Sequence, residues 1–100
     1  MKAHIHEPDN NIFCLLHRVD GETMKRFYLV TTGPSLLEPY AVLRFWGRMG
    51  GFQREMVTPC ASAEEAVRLA RQLIRKRLRR GYRIVGEQIS QEEINVTVTP

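Results

Sequence analysis

One hundred residues, 43% of them hydrophobic, are enough for one small core and too few for a second independent one. No run approaches the roughly 20 apolar residues needed to cross a bilayer, and His, Glu, Asp and Asn interrupt the start of the chain where a secretory leader would be apolar. The expectation is a cytoplasmic protein with no membrane partner. The net charge of +4 is unevenly placed: residues 1–40 carry four basic and five acidic groups, residues 41–86 eleven basic and three acidic, and residues 87–100 three acidic and no basic. A cationic central block of this kind points to a polyanionic partner, because clustered Lys and Arg release counterions from phosphate. Arginines that simply solvate a helix face are the other reading.

Residues 1–10 read as a flexible amino terminus. "NIFCLLHRV" (11–19) and "KRFYLVTTG" (25–33) are rich in β-formers and are separated by "DGET", whose Asp20-Gly21 is a strong turn signal, so they read as a hairpin. "GPSLLEP" (33–39) is a connection bounded by Gly and Pro. "YAVLRFWGR" (40–48) and "FQREMVT" (52–58) form a third and a fourth strand joined through "MGG". A tight turn at Gly50-Gly51 would set Met49 opposite Phe52, Arg48 opposite Gln53 and Trp46 opposite Glu55.

A helix is expected from Ala63 to Arg80, with Ser62 as cap, Glu65 as its capping-box partner and Gly81 as the stop. Val67, Ala70, Ile74 and Leu78 make its apolar stripe, widened by Ala66, Leu69 and Leu73, while Arg68, Arg71, Arg75 and Arg79 gather on another face. "YRIVGEQI" (82–89) returns as a further strand. "INVTVT" (94–99) alternates, so the tail 91–100 is either an edge strand or a disordered end. The expected fold is α+β, a small antiparallel sheet with one long helix on one face, within a single domain spanning residues 11–90.

The chain's one tryptophan stands in "RFWGRMGGFQRE" (44–55). Alternate strand residues share a face, so Leu43 and Phe45 point one way while Arg44, Trp46 and Arg48 point the other. Leu43 and Phe45 are the natural partners for the helix, which leaves Trp46 displayed beside two guanidinium groups, an arrangement suited to stacking on a base or sugar while the charges take phosphate. The competing reading is a half-buried packing tryptophan whose edge Arg44 and Arg48 cover.

Other chemistry finds little support. His4, His6 and His17 lack acidic or Cys ligands at metal-binding spacing, and solvent-exposed histidines account for them. Cys14 and Cys60 form no CxxC and no nucleophile motif, and are expected as reduced thiols acting as small apolar residues. No phosphate-loop or dinucleotide glycine pattern occurs. Neither an enzyme, a cofactor nor a metal site is expected.

"FWGRMGGFQ" contains Trp46-Gly47-Arg48, then Gly50 and Gln53, and resembles the signature of the WGR domain. "RFYLV" is similar to the family's earlier Tyr-containing strand, "ASAEEAVRLARQLIRKRLRRGY" to its long helix, and Gly81-Tyr82 to the pair that follows it, so the resemblance covers roughly residues 25–86. Family members commonly have a longer turn with a further Gly before the Gln, where this chain has Phe52. The resemblance implies a non-catalytic module that binds nucleic acid, with DNA ends or nicks as its partner and little sequence preference. In DNA-break-responsive poly(ADP-ribose) polymerases the motif's Trp packs on the terminal nucleotide and its Arg links DNA to neighbouring domains. Bacteria carry the domain alone or fused to other regions. Trp46 inherits the stacking role; one hundred residues leave no room for the zinc fingers or catalytic domain, so Arg48, with Arg44, is expected on phosphate, and some of Arg68, Arg71, Arg75 and Arg79 extend the electrostatic footprint. The alternative is a protein-interaction domain that docks a partner through the WGR surface or through an edge strand.

Overall fold

The computed structural model describes residues 11–22 and 24–88. The expected flexible amino terminus (1–10), including His4 and His6, and the expected tail or edge strand (91–100) lie outside the described residues. The chain runs β1 (Phe13–Asp20), β2 (Met24–Gly33), β3 (Ala41–Arg48), β4 (Gln53–Pro59), α1 (Ala63–Arg79) and β5 (Arg83–Gln88). These strands make one five-stranded sheet in the order β4-β3-β2-β1-β5, antiparallel at every pairing. The first four strands follow one another as a meander, and the chain then passes over the sheet as a helix so that β5 pairs with β1 on the far side. This is the expected α+β architecture.

Both ends of α1 are satisfied locally. Ser62 Oγ accepts from the Glu65 N–H at 3.1 Å, and Glu65 Oε1 accepts from the Ala61 N–H at 2.6 Å, one residue before the cap. At the other end the Gly81 N–H donates to the Leu78 carbonyl and the Tyr82 N–H to the Arg77 carbonyl, both at 3.1 Å, which is the paired closure of a Schellman motif. Arg18 Nη1 donates to the Arg80 carbonyl at 3.0 Å and ties this helix end to β1.

The helix buries Ala66, Ala70 and Ile74 against Ile12, Cys14, Leu16, Tyr28, Val30 and Val42. Two alanines in the contact line let the helix axis come close to the sheet. Val67, Leu69, Leu73 and Leu78 flank that line and are half-buried. Here the structure corrects an expectation: the helix covers the Val42–Trp46 face of β3, and Leu43 and Phe45 lie on the other face. The reason lies in the neighbouring strands. Cys14, Leu16, Tyr28 and Val30 share the Val42–Trp46 face across the register, and their uncharged side chains make a continuous floor that β3 alone does not reveal. On the opposite face Leu15, Leu29 and Phe45 line up across β1, β2 and β3, half-buried.

The thiols are both free, Cys14 buried and Cys60 half-buried. Burial, then the nearby Glu87 carboxylate, pushes the Cys14 thiol up to about 12. Burial and Glu65 also raise Cys60, which is less enclosed. Iodoacetamide at pH 8 is therefore expected to label Cys60 slowly and Cys14 only after denaturant unfolds the sheet. Mass spectrometry of the digested protein checks this, and rapid labelling of native Cys14 would contradict the packing.

Candidate functional site

The hairpin carrying Trp46 closes differently from the expected two-residue turn. The Arg48 N–H donates to the Phe52 carbonyl at 3.3 Å and the Gly51 N–H to the Arg48 carbonyl at 2.9 Å, so residues 49–51 form the tip. Gly50 takes a φ of 78° within it. The pairing shifts by one residue as a result: Gly47 opposes Gln53 and Trp46 opposes Arg54, in place of the expected Arg48–Gln53 and Trp46–Glu55 pairs. The shift matters chemically, because a cation rather than a carboxylate now lies beside the indole.

Gly47 makes this closure possible. Its φ is 152°, and a Cβ built there would lie 2.3 Å from the Phe52 carbonyl oxygen. The Gly of the Trp-Gly-Arg triplet thus has a steric reason to be glycine, independent of any ligand.

Cross-strand register then assembles the site on the helix side of the sheet. Arg18 opposes Arg26 and Arg26 opposes Arg48, while Leu16, Tyr28, Trp46 and Arg54 form the next row. Like charges directly opposite one another repel, and here the carboxylate among them is Asp20. It takes Arg18 Nε and Nη2 at 2.9 Å each and Arg26 Nε at 2.8 Å. Beyond it, Arg26, Trp46, Gly47, Arg48, Phe52 and Arg54 surround an open cavity of about 300 Å³. Arg54 stands 5.8 Å from the Phe52 ring centroid.

Trp46 is half-buried, packed against the core on one side and lining this cavity on the other. Its ring lies 6.3 Å from that of Tyr28, and Tyr28 lies 6.4 Å from Tyr82 in an edge-on arrangement. The Arg77 guanidinium sits 4.1 Å over Tyr28 and 5.6 Å from Tyr82, while Arg18 sits 5.2 Å over Tyr82. An aromatic line with cations on it therefore runs from the cavity to the end of α1.

The residues expected at the site are divided by the structure. Trp46, Gly47 and Arg48 line the cavity together; Gln53 pairs with Gly47 through its backbone and is not among the cavity walls. Arg44 shares the Trp46 face, as parity requires, but its guanidinium lies 5.8 Å from the indole centroid and its Nη2 contacts the Met56 sulfur, away from the cavity walls. On α1, Arg68 and Arg79 are exposed and Arg71 and Arg75 half-buried; none of them lines the cavity. Sequence reasoning missed Arg26, Arg54 and Arg77. Arg77 had a signal, since Ala66, Ala70, Ile74 and Arg77 continue one helical stripe. Arg26 and Arg54 had none short of the pairing register.

Asp20 competes for the guanidinium groups that an anion would need. Hydrogen bonds from Arg18 first and Arg26 second hold its carboxyl below the usual carboxylate range. A lowered folded pKa means that the ionised group's support for the fold is complete above the ordinary carboxylate range and is lost as pH falls through the lowered value. Asp20→Asn is expected to tighten polyanion binding about threefold at low salt by releasing Arg18 and Arg26. The stability difference between this variant and wild type, present at pH 7, should vanish in acid. Anisotropy titrations and thermal melts from pH 7 to pH 2 check both; unchanged or weaker binding by Asp20→Asn would show that these arginines do not meet the ligand.

Among the described residues no three His, Cys, Asp or Glu side chains come together as a metal site, and no helix is long and apolar enough to cross a membrane. The chain is 38% identical over 69 residues to the uncharacterized protein y4dW of Sinorhizobium fredii, a match that covers 68% of this chain. The chain spans about a third of that protein's length, 34%. No solved structure matches. The WGR domain family matches residues 12–89, and that domain is in general a non-catalytic, nucleic-acid-binding module. With its match running through the sheet, the Trp46 hairpin and the helix, the chain belongs to the WGR domain family.

Proposed function

We propose that this chain binds DNA ends or nicks with little sequence preference and catalyses no reaction. The observation that carries the reading is the cavity in which half-buried Trp46 is walled by Arg26, Arg48, Arg54 and Phe52. An exposed nucleotide has a flat face for an aromatic ring and a phosphate for each guanidinium, whereas a base inside an intact duplex presents no free face. The terminal nucleotide packs against the open side of Trp46, with Phe52 at the cavity rim. Arg48, Arg26 and Arg54 take the flanking phosphates. Arg44 supports Trp46 from behind, and the outward-facing arginines of α1, including Arg68 and Arg79, add to the long-range attraction.

The test is fluorescence anisotropy with a labelled duplex bearing a nick or a 5′-phosphorylated end, competed by closed circular DNA at two salt concentrations. Linear or nicked competitor should displace the probe at lower concentration than circles do. Arg48→Gln, at an exposed position, is expected to weaken binding about tenfold and to lower the slope of affinity against salt by about one. Equal competition by circles would reduce the reading to general polyanion binding, and no binding at low salt would end it.

A further inference from the structure

At the opposite end of α1 from the Trp46 cavity, the β2–β3 connection displays two leucines with almost no cover: Leu36 is 99% and Leu37 89% exposed. The display is built, not slack. Pro34 and Pro39 flank the loop, and within it the Ser35 N–H donates to the Glu38 carbonyl at 2.8 Å while the Glu38 N–H donates to Ser35 Oγ at 3.1 Å. Beside this prong lies an open cleft of about 550 Å³, with Pro34, Pro39, Tyr40, Ala63 and Ala66 among its walls and Glu64 as its charged group. Paired, solvated leucines next to a cleft that mixes apolar walls with Asn11, Ser62 and Glu64 are the sort of surface that marks a protein contact.

Charge decides what that contact takes. Glu38 stands on the prong, Glu64 lines the cleft and Glu65 follows it on the helix, while among the described residues no Lys or Arg lines the cleft. The helix N-terminus contributes only about half a positive charge against these carboxylates. Nucleic acid and anionic lipid are therefore repelled here, and a symmetric pair of copies would set one acidic patch against the other. We infer that Leu36, Leu37 and the adjoining cleft dock a cationic amphipathic helix of a protein partner, its apolar stripe over the leucines and its Lys or Arg rim against Glu38 and Glu64. This surface is separate from the Trp46 cavity, and its use does not depend on what that cavity binds.

The probe is a pair of synthetic amphipathic helices with the same leucine stripe, one rimmed by lysine and one by glutamate, titrated into the ¹⁵N-labelled protein and followed by amide chemical shifts. The lysine peptide should shift resonances of residues 33–40 and 62–66, and the glutamate peptide should not. The Leu36→Ser/Leu37→Ser protein, altered only at solvent-exposed positions, should bind the lysine peptide at least about tenfold more weakly and retain wild-type affinity for nicked DNA. Equal binding of the two peptides, shifts centred on another face, or unchanged affinity in the double variant overturns the proposal. So does movement of the 33–40 resonances on diluting the protein alone, which would make a second copy the occupant.

Discussion

Gly47→Ala is expected to lose about 2–4 kcal/mol of folding stability, the largest effect of any glycine-to-alanine change in this chain. The cost has two sources. A φ of 152° is strained for a residue with a Cβ, and that Cβ would sit 2.3 Å from a backbone oxygen, Phe52 O, which cannot rotate away as a side chain could. Relief requires β3 and β4 to separate at the Gly47–Gln53 pair, which moves Trp46 and Arg54 with it. Gly51→Ala is the control, since its Cβ would meet Arg48 Cβ at an ordinary 3.4 Å and its φ is unexceptional. Urea unfolding should place Gly51→Ala within about 1 kcal/mol of wild type and Gly47→Ala well below it. Comparable losses in the two variants would mean that the hairpin adapts and that Gly47 has no special steric duty.

Trp46→Ala is expected to affect stability and binding together, because the ring is shared between the core and the cavity. Removing a large, half-buried aromatic that contacts Tyr28 at 6.3 Å should cost about 2–3 kcal/mol of stability. Base stacking worth about 1–3 kcal/mol corresponds to a loss of affinity for nicked DNA of about fivefold to 150-fold. The two effects separate in Trp46→Phe, which keeps an aromatic face and most of the packing and should fall less than tenfold in affinity. Affinities are to be compared at a temperature where circular dichroism shows each variant folded. A folded Trp46→Ala protein that binds nicked DNA as wild type does would leave the arginines as the binding surface and remove stacking from the proposal.

Arg77 shows how a charged helix residue becomes structural. On a helical wheel it continues the line of Ala66, Ala70 and Ile74, and in the fold its guanidinium lies over two tyrosines while its carbonyl accepts the Tyr82 N–H. Its stem can lie over apolar surface while its charge meets ring faces. The electropositive character of this end of the molecule therefore comes from Arg18, Arg26, Arg48, Arg54 and Arg77, drawn from four strands and the helix. Of these, sequence reasoning had singled out Arg48 alone. The stripe of Arg68, Arg71, Arg75 and Arg79, conspicuous in the linear sequence, contributes no wall to the cavity.

Local chemistry was legible from the sequence wherever it depends on near neighbours. Asp20-Gly21 marked the first hairpin, Ser62, Glu65 and Gly81 marked the helix ends, and the period of two in Ala41–Arg48 placed Arg44 with Trp46 and apart from Leu43 and Phe45. What only the tertiary structure decided was the sign of that alternation, the hairpin register and the company Trp46 keeps. Parity states which residues share a face but not which face a helix will cover, and that choice rested on Cys14, Leu16, Tyr28 and Val30, up to 32 positions away from Trp46 in the chain. The register turned on a steric meeting of Gly47 with Phe52, a backbone distance that no residue pattern expresses. Once the hairpin closed over residues 49–51, pleat geometry brought Arg26 and Arg54 beside the indole, and a motif of three letters became a site with three more participants, Arg26, Phe52 and Arg54, than its name contains.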